Sequence, residues 1–481
     1  MIKVFMMYEV NPTTWFYLSS LMIVGIFFKF RRVWSVRNLD LVGLLFLFPG
    51  VLMVANEAQL VPYGYFCILF VSFFLLVRML CDPMMARRPL LDVNLSTGGL
   101  LFCCIALLVF QVAGVALTQW RLPGAVQTAT LEQLMTMHLN ERLLADEADE
   151  EDSAQKRPRL THGPGLPFFT QFSDAPRAYL LDRMRQMKQA SAQGEENAAE
   201  EEHASIGIRP RTWARAAADN DANFPYGQFW LTFLAAVAGQ IAIAVGLMLT
   251  GWRHFENFAT GVAAATLYLL IPYAAQMPSR LDHIIPGALL VWAVFCWHRP
   301  ALAGILLGTA AALAYYPVFL IPLWCSFYLS KGLYRFAIPA LSVMVALFCL
   351  AIPLAGGWEN FFEQSGDIFG FVGLFIRSAD GIWESEPHSV FYRAPVLVTY
   401  MILVCLLAFW PAQKNLGTLL SSSAALMVGA QFCQPFQGGM YMAWFLPFMI
   451  LVIFRPNLEN RTAKRVIDGK KRRTATHLAE Q

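Results

Sequence analysis

The densest run of reactive side chains is Arg280-Leu281-Asp282-His283, preceded by Pro278 and Ser279 and followed by Pro286. A carboxylate and an imidazole at the start of a helix can act as acid, base or anion binder. The same residues also suit a plain helix start, with Ser279 or Asp282 capping and Arg280 snorkelling. A second candidate is Ala314-Tyr315-Tyr316-Pro317, inside a long apolar stretch. A helix broken at membrane depth is tolerated where it lines a cavity. Two phenols there could bind a polar headgroup, or simply form an aromatic belt beside a break. The third is the stretch 355–392, where Trp358, Trp383, Glu384, Glu386 and His388 lie among further acids, with Arg393 just beyond. Rings stack on apolar sugar faces and carboxylates accept hydroxyl protons, which is the equipment of a sugar site. A solvated interfacial loop has the same composition.

Other chemistries lack support. The sequence contains no P-loop, G-x-G-x-x-G, G-x-S-x-G or H-E-x-x-H. Its nine cysteines form no C-x-x-C, and most sit in apolar runs, as small packing residues do. Glu384 and Glu386 could hold a divalent cation, but two neighbouring carboxylates are weak evidence for one, so no metal ligand is assigned and a divalent-metal requirement stays open. No cofactor is firmly implied.

Such residues need elements to position them, and composition says which kind. Hydrophobic residues make up 57% of the 481 and charged residues 14%. The stretch 119–225 holds 29 charges and the tail 455–481 holds 11, which leaves 29 for the other 347 residues. No water-exposed surface can be built at that density. A soluble enzyme, a nucleic-acid binder and a disordered protein are excluded. The expected fold class is all-α: a polytopic integral membrane protein.

Apolar runs predict about thirteen transmembrane or half-membrane helices, over 12–28, 39–55, 62–77, 98–118, 227–250, 258–276, 283–297, 301–314, 315–328, 336–354, 394–410, 416–432 and 440–454. The charge-free stretch 301–328 would measure about 42 Å as one rod, too long for an untilted crossing. Gly304, Gly308, Pro317 and Pro322 are places to break it. Cytoplasmic loops gather Lys and Arg. Treating 301–328 as a hairpin puts 20 Lys/Arg inside, tail included, and only Lys3, Arg280, Arg377 and Arg393 in the short outer segments. This predicts an N-terminus outside and a cytoplasmic C-terminus in the plasma (inner) membrane. The first apolar run is followed by Lys29, Arg31 and Arg32, so it reads as an anchor and not as a cleaved signal. The expected division is 1–97 (N-terminal helices), 98–118 (a further helix), 119–225 (an extracytoplasmic loop, partly disordered), 226–454 (transmembrane bundle) and 455–481 (basic tail). Within the loop, the acidic run 146–152 and the Ala/Glu-rich 189–207 read as solvated. The piece Pro164–Met187, with Asp174, looks more ordered.

The segment 282–328 carries a resemblance. Asp282-His283 opens an apolar helix ending Trp297-His298-Arg299-Pro300; Ala303-Gly304-Ile305-Leu306-Leu307-Gly308 follows, and then Tyr315-Tyr316-Pro317. Over roughly 226–454 the chain resembles GT-C-type multi-span glycosyltransferases, in the polyprenol-phosphate-mannose-dependent mannosyltransferase-like branch. Pro387-His388-Ser389-Val390 with Arg393 is similar to that family's late Asn-Gln-Ser-Leu…Arg stretch. The family's lysine before the proline is absent here; Ala314 or Tyr315 replaces it.

The resemblance implies transfer of a sugar, usually with inversion, from a polyprenyl-phosphate donor to a lipid, glycan or protein acceptor on the extracytoplasmic face. It implies an acidic base, for which Asp282, with His283 beside it, and Asp174 are the candidates; Glu132 is a third acid. Arg280 and Arg393 would hold the donor phosphate. Tyr315, Tyr316, Glu384 and His388 would line the site. The expected partners are the bilayer, the lipid-linked donor and the acceptor, with no nucleic acid. Two other classes stay open. A transporter or flippase would need polar residues deep in the bundle and two related halves; neither is apparent, and Asp40 and Glu57 sit near ends. An inactive scaffold would use 119–225 to bind partners.

Overall fold

The computed structural model of the chain describes residues 12–56, 60–85, 92–121, 226–276, 281–354, 383, 389–434 and 441–463. Everything described is helix, turn or coil, with no strand among these residues. The helices are α1 (Pro12–Phe27), α2 (Val36–Asn56), α3 (Val61–Cys81), α4 (Thr97–Arg121), α5 (Tyr226–His254), α6 (Phe258–Leu270), α7 (Pro272–Gln276), α8 (Leu281–Phe295), α9 (Pro300–Leu313), α10 (Leu320–Tyr328), α11 (Leu333–Leu354), α12 (Ser389–Phe409), α13 (Leu416–Cys433) and α14 (Leu446–Phe454). Seven are long and apolar enough to cross a bilayer: α2, α3, α4, α5, α11, α12 and α13. The rest are shorter. The predicted helix 258–276 is interrupted at Ile271, because the residue before Pro272 is pushed to an extended ψ of 124°.

Burial separates the centre of the bundle from its rim. The α13 span is 94% buried and the α11 span 11%. Helix α13 starts where Asn415 accepts the Thr418 N–H at 2.8 Å, an N-cap. Its serines stay inside because they bond locally or to neighbours: Ser421 donates to Gly417 O at 3.1 Å, and Trp324 Nε1 donates to Ser423 Oγ at 3.2 Å. Helix α11 instead turns Tyr334, Ile338, Leu341 and Val345 outward, a face suited to lipid.

The stretch 301–328 folds back on itself. Helix α9 begins at Pro300 beside Trp297, stops at Ala314, and a 3₁₀ turn over Tyr316–Phe319 leads into α10. Helix α10 returns so that the Tyr328 hydroxyl donates to Trp297 O. Phe336, just after the next turn, stacks on Trp324 with centroids 6.0 Å apart. The two ends of the stretch therefore sit together and the Tyr315-Tyr316 break lies far from them. Tyr328→Phe is expected to leave a buried carbonyl unpaired and to lower stability by about 1 kcal/mol, read as a lower melting temperature in detergent.

Charge is distributed unevenly between the two ends of the bundle. Arg78, Arg455, Lys414 and Arg461 make their contacts at the Trp297 end, whereas Arg393 bonds Cys433 O at the other. At that end Arg78 pairs with Asp40 through Nε at 2.8 Å and with Asp82 at 3.0 Å, and Asp82 also pairs with Arg455. All four are buried. Lys414 donates to Ser326 Oγ at 2.8 Å, Pro411 O at 2.8 Å and Ala408 O at 3.0 Å. Burial pushes its ammonium below the usual lysine range.

Candidate functional site

The opposite end gathers the residues that could act on a ligand. The break at Ile271-Pro272 starts the short α7, which brings Tyr273 against the first turn of α8. There His283 is 1% exposed. Its Nδ1 shares a hydrogen bond with the Tyr273 hydroxyl, in a direction set by the imidazole tautomer. The two rings stack with centroids 5.8 Å apart. From His283 a run of rings crosses the bundle. Tyr441 lies 5.0 Å away, Trp444 is 4.8 Å beyond, Tyr316 is 4.9 Å further, and Tyr315 is 4.0 Å from Tyr316.

Amides and one guanidinium frame that run. Gln431 Nε2 donates to Tyr441 O at 3.1 Å, and the Tyr441 N–H donates back to Gln431 Oε1 at 3.1 Å. That pair of bonds pins the chain where it re-enters the bundle before α14. The Tyr315 hydroxyl donates to Gln434 Oε1 at 3.4 Å. Arg393, 5% exposed, donates from Nε at 3.3 Å and from Nη2 at 3.1 Å to Cys433 O. A cation at the C-terminal carbonyls of α13 is favoured by the helix dipole. It also holds a positive charge at Cys433 O, next to Gln434, to which Tyr315 donates.

Four of the residues predicted from sequence thus meet at one end: His283, Tyr315, Tyr316 and Arg393. Asp282 belongs to the first turn of α8, but its side chain lies outside the description. Asp174, Arg280, Glu384 and His388 lie outside the described residues. Tyr273, Tyr441, Trp444, Gln431 and Gln434 were not predicted. The two glutamines carried a usable signal, because an amide in or beside an apolar helix needs a partner or a purpose. The aromatic residues carried none, since rings are ordinary filling in such a sequence. A groove of about 550 Å³ runs along α12, lined by apolar residues from Ala394 to Phe409. It has no polar group to do chemistry, and Arg393 lies on the buried face of α12.

Chemically, the assembly offers a phenol–imidazole pair for proton movement, ring faces for stacking, and amides for hydroxyl groups. Among the described residues no cluster of His, Cys, Asp and Glu could hold a metal ion. No family model matches the chain, and no curated protein and no solved structure matches it either.

Proposed function

We propose that the protein is a membrane glycosyltransferase of the GT-C type, with about thirteen membrane-crossing or half-crossing segments. It moves a sugar from a polyprenyl-phosphate donor to a lipid, glycan or protein acceptor. One observation carries the reading: the fold-back of 301–328 brings Tyr315 and Tyr316 to the same end as His283 and Arg393. A ring-and-amide surface next to a held guanidinium suits a sugar joined to a phosphate. The cation-rich opposite end supports an orientation with that end and the C-terminus cytoplasmic, the N-terminus outside, and the site facing outward.

In the proposed step an acceptor hydroxyl oxygen attacks the anomeric carbon. A new C–O bond forms, the anomeric C–O bond to phosphate breaks, and polyprenyl phosphate leaves with the electron pair. The hydroxyl proton passes to the carboxylate of Asp282 or Asp174, and Arg280 and Arg393 offset the growing charge on the phosphate. His283, hydrogen-bonded to Tyr273, is placed to orient the acceptor. The test is transfer from labelled polyprenyl-phosphate sugars in membranes carrying the protein. Asp282→Asn or Asp174→Asn is expected to lower the rate about 10²–10⁴-fold. Full transfer by both variants removes the base assignment, and no transfer by the wild type from any such donor removes the function.

A further inference from the structure

Gln240 lies on the buried stripe of α5 with Ala236, Ile243 and Leu247, and is 1% exposed. Neither its Oε1 nor its Nε2 has a hydrogen-bond partner among the described residues. Other amides in this half of the bundle whose side chains are described are engaged. Gln431 and Gln434 are bonded as above, and Gln111 Nε2 donates to Leu269 O at 3.3 Å. Burying an amide without partners is strongly disfavoured, so one that persists calls for an explanation.

Two neighbours place it. Helices α5 and α6 cross where a Cβ added to Gly251 would stand 2.3 Å from Gly261 Cα. From that crossing α6 runs about 13 Å to its end at Leu270, at 1.5 Å per residue, just before Pro272 and Tyr273, and a similar distance along α5 leads to the turn that carries Gln240. On the other side, a Cβ on Gly239 would stand 2.4 Å from Ile284 Cγ2, the residue after His283. Ile243 Cδ1 lies 3.6 Å from a Cβ built on Gly287, one turn along α8 from His283 on the same face. Both registers put Gln240 level with the Tyr273–His283 pair.

We propose that Gln240 is a substrate-binding residue of this site, its amide receiving two neighbouring hydroxyl groups of a neutral sugar. An amide presents one acceptor and one donor side by side, and each hydroxyl of a vicinal diol can take either role. A neutral group also costs less to bring to this depth than an ion. The inference rests on the glycosyltransferase reading and names the part of the substrate that reaches deepest.

The test compares wild type, Gln240→Leu and Gln240→Asn in lipid nanodiscs. Leucine keeps the bulk and removes both hydrogen-bonding atoms. KM for the sugar-bearing substrate is expected to rise roughly tenfold or more in Gln240→Leu and to recover in part in Gln240→Asn. The ligand-free melting temperature should hold or rise, because an unpaired amide has been removed. An unchanged KM overturns the assignment, as does a lower melting temperature with unchanged KM, which marks a structural amide. A second readout separates this from failure of the enzyme reading. Octyl mannoside should raise the melting temperature of wild type but not of Gln240→Leu, while octyl phosphate should shift both alike. Equal shifts with octyl mannoside overturn the role of Gln240, whether or not transfer is observed.

Discussion

Asp82→Ala is expected to lower stability by about 3–5 kcal/mol, the largest single loss among the polar residues described. Asp82 stands between two arginines, Arg78 at 3.0 Å and Arg455, and its side chain is fully buried. Arg78 has a second partner in Asp40, so it survives with half its neutralisation. Arg455 loses the carboxylate that offsets it in a place where water does not reach. The four groups come from distant parts of the chain: α2, the end of α3 and the residue after α14. Their loss therefore loosens the N-terminal helices from the central ones. The melting temperature in detergent reads the effect. Asp82→Ala combined with Arg455→Ala should cost less than the two single losses added together, because the stranded charge has gone too. Asp92→Ala removes the exposed pair with Lys29 and should leave melting unchanged, since screened surface pairs contribute little.

Gly304→Ala is expected to cost about 3 kcal/mol or more. A Cβ at Gly304 would stand 2.2 Å from Phe336 O, and one at Gly308 would stand 2.5 Å from Ala340 O. Both obstacles are backbone, so no side-chain rotation relieves them. Helices α9 and α11 must separate along the whole small-residue seam, losing the contacts that hold them. Because Tyr315 and Tyr316 are carried on the far end of α9, the aromatic run shifts with it. The expected outcome is a large fall in melting temperature together with loss of the proposed sugar transfer. Gly25 is the control. A Cβ there meets nothing within 4 Å, so Gly25→Ala should be neutral or slightly stabilising by helix propensity.

Helix positions were legible because an apolar segment in lipid must satisfy its own backbone, and helix is the only local way to do so. Prolines marked most of the breaks. The interruption at Ile271 was missed, although Pro272 was in plain view. Proline is common enough in such helices that its presence alone does not say whether the chain kinks or restarts.

The candidate site was legible only in fragments. His283 stood out because it sits beside a carboxylate, Tyr315 and Tyr316 because they immediately precede a proline, and Arg393 because it follows an acidic loop. Tyr441 and Trp444 carry no such local mark, and Gln240 carries only the general one of an amide inside an apolar helix. They matter because helices that are distant in sequence bring them to one height.

By itself, then, the sequence determined the class of the protein, its helices and the end at which cations collect. Each of these follows from composition or from periods of a few residues, and the bilayer enforces them segment by segment. Tertiary structure alone decided which rings touch, which amide is left without a partner and which charges neutralise one another. Those outcomes depend on helix register, set by backbone contacts such as Gly251 on Gly261 and Gly304 on Phe336. A contact of that kind is a property of two helices together, and neither stretch of sequence contains it.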